Sequence, residues 1–130
     1  MAEFSDYMEN SIISLMRNTA FTQIPAYVAL FTADTGLEAD TGWTATEVSG
    51  GSYARQLAGL SAPSGGASSN GADITFPTAT GDWGTVTHVA LMDAATAGHV
   101  LMWSALDASK TVNNGDTFKI NATELDVTVA

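Results

Sequence analysis

The sequence predicts a mainly β fold, an antiparallel β-sandwich of about seven or eight strands with one N-terminal α-helix. Helical periodicity is confined to the first twenty residues. After Pro25, short runs of β-branched and aromatic residues recur between Gly, Asn, Asp and Pro punctuation. A 45% hydrophobic content over 130 residues is enough for one core. The expected division is a helix over 1–22, serving docking or assembly, and a β-sandwich over 23–130, with no internal repeat.

The helix is read from its cap and its stripe. Ser5 is placed to cap it, Asp6 and Glu9 fall in the first turns, and Arg17 lies near the end, all three charges favouring the helix dipole. Phe4, Met8, Ile12, Leu15 and Thr19 recur every three or four residues and form one stripe. Tyr7, Ile13 and Met16 fall outside it. A helix with a second, partial apolar face touches more than its own sheet, so Tyr7, Met8, Ile12, Ile13, Leu15 and Met16 are candidate protein-interface residues.

The strands follow in order. AYVALFT (26–32) is apolar on both alternating faces, as a central or interface strand is. Residues 33–43 are acidic and contain glycine, which makes a loop; 44–48 are expected as a short strand; and Gly50 and Gly51 turn the chain into SYARQLAGL. The small polar segment 61–72 is expected as an exposed, flexible loop. DITFP (73–77) ends at Pro77. TVTHVALMD (85–93) and GHVLMWSAL (98–106) flank a short linker and read as a hairpin. VNNGD turns into TFKI, and ELDVTV (124–129) alternates as a half-buried strand does.

Composition excludes several classes of function. There is no cysteine, so disulfides and thiolate zinc sites are ruled out. Fourteen acidic residues stand against four basic ones, and a net charge of −10 repels phosphate backbones and anionic membranes. Neither nucleic acid nor membrane is an expected partner. No targeting signal and no membrane-length apolar run is visible, so synthesis in a cytoplasm is expected.

Catalytic chemistry is not specified either. His88 and His99 are the available bases, and both read as hydrogen-bonded strand histidines; there is no nucleophile elbow and no phosphate loop. Asp34, Glu38 and Asp40 cluster in one acidic loop, which leaves calcium binding open there without an EF-hand pattern. No catalytic residue, metal site or cofactor is assigned. Trp103 falls in an apolar strand and is expected in the core. Trp43 and Trp83 lie beside glycines in turns, where they could cover a sheet end, anchor a partner or stack on a glycan. Both join the interface candidates.

The segments SDYMENSIISLMRNTAF, PAYVALFT, GGSYARQ, ITFPTATGDWGTVTHVALMDA and GHVLMWSAL resemble a family of small structural proteins of tailed bacteriophages. Its members are labelled tail fibre-like or minor structural proteins, and some similar small proteins cement capsids. The likeness spans nearly the whole chain. It implies a virion component without enzymatic activity. The expected role is capsid cement on the outer capsid surface, clamping major capsid proteins around packaged DNA, because a compact acidic domain leaves no room for a fibre shaft. The alternatives are a tail fibre-like or adhesin module that meets tail proteins or a host surface, and a carbohydrate-binding module. Assembly as a homo-oligomer, a dimer or trimer, is expected with either virion role.

Overall fold

The computed structural model of the chain describes residues 3–20 and 25–129; the boundary expected between 22 and 23 lies outside them. A two-residue strand β1 (Glu3–Phe4), not foreseen from the sequence, leads into helix α1 (Asp6–Met16). The β body follows as β2 (Tyr27–Phe31), β3 (Gln56–Leu57), β4 (Ala67–Ser69), β5 (Ile74–Thr75), β6 (Gly84–Met92), β7 (Val100–Val112), β8 (Lys119–Ile120) and β9 (Asp126–Thr128). All pairings between these strands are antiparallel. One sheet has the order β1-β7-β6-β2-β3, and the pairs β4-β9 and β5-β8 make two small sheets. The fold is mainly β and sandwich-like, though not closed.

The strand β2 shows why the layers form. Val28 and Leu30 enter the main core with Val86, Val89, Leu91, Phe76, Phe118 and Ile120. Ala29 and Phe31 point the other way, into a second cluster with Leu37, Trp43, Ala90, Met92 and Val100. A strand buried on both faces reads as an unbroken apolar run, and residues 28–31 are fully buried. The acidic loop after β2 supplies the lid of the second cluster. Gly36 permits that loop: its φ is +73°, and a Cβ there would collide with the Thr41 carbonyl.

Two expectations for loops and strands are corrected. Residues 44–48 are not a strand: they complete and leave a 3-10 turn (Trp43–Ala45), with a single bridge from Glu47 to Phe31. Residues 61–72 are not an open loop. β4 pairs with β9 there, and Asn70 is fully buried. The Asn70 amide donates to the carbonyls of Ala72 and Asn121, both at 2.9 Å, and its oxygen accepts from the Leu125 amide at 3.0 Å. Backbone pairing and one buried amide order a segment that has no apolar side chains to bury.

The hairpin β6–β7 forms as expected, but β7 runs to Val112 and bows away from its partner. Val86 pairs with Lys110 and His88 with Ala105, so two steps along β6 match five along β7. Leu106 to Ser109 stand opposite the single residue Thr87.

Ser5 fixes the helix to this frame. Its amide donates to the Leu101 carbonyl at 3.0 Å, its hydroxyl donates to the Val100 carbonyl, and its Oγ accepts from the Met8 amide at 3.3 Å. The start of α1 is thus tied to the start of β7. Phe4, Tyr7 and Met8 pack against the main core, yet no residue of α1 is buried.

Candidate functional site

The expected interface residues fall into two groups. On α1, contact with the body stops after the first turn. Ile12 is half-buried, while Ile13, Leu15 and Met16 are 53, 51 and 77% exposed. The apolar stripe therefore packs only at its start, and Leu15, counted on the core side of that stripe, faces water beside the off-stripe Ile13 and Met16. Tyr7, also off-stripe, stacks on the His99 ring at 3.9 Å and 5°. The helix ends where Asn18 takes a φ of +63°.

Trp43 and Trp83 lie elsewhere, and each is only 5% exposed. Trp43 closes the second cluster edge-on to Phe31. Trp83 sits in the main core, its Nε1 donating to the Gly51 carbonyl at 2.9 Å. Gly51 is needed there because a Cβ would press on the Trp83 indole. The chain itself covers both rings, as residues covering a sheet end would be, and neither is available for flat stacking on a glycan. Trp103, expected in the core, is only partly buried and donates to Glu38 Oε2 at 2.9 Å.

The sequence reading missed the most saturated polar cluster. Arg55 is buried, and its Nε and Nη2 fork onto Glu47 at 2.7 and 2.8 Å. Its Nη1 donates to the carbonyls of Ala94 and Ala97, both at 2.8 Å, which ties down the turn between β6 and β7. The guanidinium also lies over Trp43, 5.4 Å from the ring centre. Tyr53 completes the group, donating to Glu47 at 2.9 Å and accepting from the Leu30 amide at 3.0 Å. Burial, with the Glu47 charge beside it, pushes the Tyr53 phenol well above its ordinary range. Burial opposes the Arg55 charge, but the bonds and charge from Glu47 outweigh it and hold the guanidinium above its ordinary value. Four of the five guanidinium N–H groups are bonded within the chain, so the cluster is built to hold the fold together. An arginine alone in a strand-forming segment of an acidic chain was the signal available.

Neither histidine belongs to a reaction centre among the described residues. His88 Nδ1 meets the Thr87 hydroxyl at 2.8 Å. His99 Nδ1 lies 2.6 Å from Asp40 Oδ2, while Asp40 Oδ1 accepts from the Val100 amide at 2.7 Å. The pair braces the start of β7 against the acidic loop.

The three acids considered for calcium do not converge. Asp40 is used by His99 and Val100, whereas Glu38 joins Asp6 and Glu9, with carboxylate oxygens within 4.8 Å of one another. All three of those are exposed, and Asp6 and Glu9 suit the positive end of α1 without an ion.

A groove of about 720 Å³ runs beside β7 towards β9. Leu106, Phe118, Ile120, Leu125 and Val127 give it apolar walls; Asp107, Lys110, Glu124 and Asp126 are at its margins. The bow in β7 opens it.

Comparison with known proteins gives one match of high coverage. The model of a family described as "Podophage GP4 fiber I protein gp80" matches residues 3–128, helix and β body together. No curated protein matches the chain.

Proposed function

The chain belongs to the podophage GP4 fiber I protein gp80 family, and from that premise we propose that it is a fibre-type module of the phage tail, acting through contact and not through catalysis. It is a structural protein of a tailed-phage virion. The observation that carries the tail reading is the match itself, which covers the helix and the sandwich as one unit. The saturated Arg55 cluster and the separated histidines agree with a protein that presents surfaces.

This reading replaces the capsid cement role. The family description names a fibre, so the adhesin-like alternative is better supported than a clamp on major capsid proteins at the outer capsid surface. On this reading the partners are tail proteins and the host surface. The deciding experiment is gold-labelled antibody on intact particles. Label on the tail is the expected result; label distributed over the shell would restore the cement role. Purified protein that fails to bind host cells would remove the adhesin part while leaving a tail location intact.

A further inference from the structure

We propose that the end of α1 from one copy of the chain seats in the groove beside β7 and β9 of a second copy. The exposed apolar end of α1 and the groove do not meet within one copy, since no residue of α1 lines the groove. On the helix, Ile12, Leu15 and Met16 stand at i, i+3 and i+4, the spacing with which amphipathic helices anchor in grooves. Ile13 widens that face. The groove offers matching walls, with Leu125 and Val127 from the β9 side and Leu106 from β7, all partly buried, over a floor of the buried Phe118 and Ile120. At about 720 Å³ it falls in the range of roughly 300–1,000 Å³ typical of sites that enclose apolar groups.

Charge selects the occupant. In a chain with fourteen acids and four bases, most surfaces of a second copy would bring carboxylates. The end of α1 brings Arg17. The helix's acids lie at the other end, Glu9 standing about 10 Å of axial rise back from Met16 at ~1.5 Å per residue. At the groove, Lys119 is held by Asp73 at 3.1 Å, and Glu124 accepts from Asn121 at 3.2 Å. Asp107 and Asp126 have no ion pair among the described residues. Lys110 is the like charge on that margin, and two open carboxylates outweigh it. An apolar helix end carrying one cation fits this groove in both shape and sign.

The contact deepens the structural-protein reading and rests on it, but not on where the protein sits in the particle. Its failure would leave tail labelling untouched, and shell labelling would leave the contact intact. The absence of cysteine permits a direct test on the full chain. Chains carrying Met16→Cys are mixed with chains carrying Ala108→Cys, an exposed groove position, and oxidised mildly. The cross-copy disulfide should form at least about tenfold faster than with Ser49→Cys, exposed but outside the groove, because docking raises the effective concentration of the two thiols. Equal rates would overturn the proposal, as would a wild-type chain that sediments as a monomer. A second arm tests the charge. Arg17→Glu should weaken self-association by up to about fivefold, as an exposed ion pair allows, and Asp126→Lys in the partner should restore it. Absence of rescue would refute the assigned pairing.

Discussion

Arg55 and Arg17 are two of the four basic residues in the chain, and their surroundings are opposite. Arg55 is buried, forked onto Glu47, bonded to two carbonyls and laid over Trp43. Arg17 ends a helix of which no residue is buried, next to three exposed apolar side chains. In the first region every strong group is answered inside one copy. In the second, apolar area is left in water, and its burial would be worth about 25 cal/mol per Å² to whatever covers it. One region holds the fold; the other is the surface that we propose a second copy covers.

The largest way to break this contrast is Arg55→Ala. It leaves the largely covered Glu47 without its ion pair and frees the turn at Ala94 and Ala97, at an expected cost of about 3–5 kcal/mol. For a domain of this size that lowers the melting temperature by roughly 10–18 °C, readable by calorimetry; a loss of a degree or two would show the cluster to be ornamental.

Asn70→Ala comes next. Three backbone groups lose their partner, and the expected loss is about 2–3 kcal/mol. Chemical denaturation measures it, and a neutral result would mean that β4–β9 is held by strand pairing alone. Tyr53→Phe should cost about 1–2 kcal/mol, since the Leu30 amide loses its acceptor while Glu47 keeps Arg55.

At the helix end the prediction reverses. Ile13→Ser, Leu15→Ser and Met16→Ser should each change stability by no more than about 0.5 kcal/mol, as exposed positions do. A large loss of melting temperature would show that α1 is packed in a way that its exposure contradicts.

The smallest effect concerns acid. The Ala122 amide and then Lys119 hold the Asp73 carboxyl below its ordinary range. A depressed folded-state value stabilises the fold above the ordinary carboxylate range, and that contribution is lost as pH falls through the depressed value. Asp73→Asn should therefore lower stability slightly at neutral pH, with the difference from wild type vanishing as pH falls through the depressed value, which flattens the acid limb of the stability curve. A larger change at acid than at neutral pH would contradict this sign.

Much of the sheet was legible in the sequence because its signals are local. AYVALF declares a strand buried on both sides, the runs around His88 and Trp103 declare a hairpin, and Ser5 marks the helix start. The rest depends on partners distant in sequence. Nothing in SAPSGGASSNGA announces that Asn70 will be buried against Asn121 and Leu125, because that order comes from hydrogen bonds and not from apolar side chains. The stripe Phe4–Met8–Ile12–Leu15 has the right period for packing along its length, yet the sheet underlies only its first turn, so periodicity overstated burial. Trp43 and Trp83 sit in turns, a context that leaves covering a sheet end, anchoring a partner and stacking on a glycan all open, and only the fold shows that the chain covers both rings. The groove was invisible, since it depends on a surplus in β7 that only the register against β6 reveals.

The most direct measurement is the occupancy of phage particles by a chain carrying Ile13→Ser, Leu15→Ser and Met16→Ser together. A chain that melts like the wild type and is nevertheless missing from purified particles is the predicted outcome. Incorporation at wild-type copy number would contradict it, and would mean that the end of α1 is not where this protein meets its neighbours.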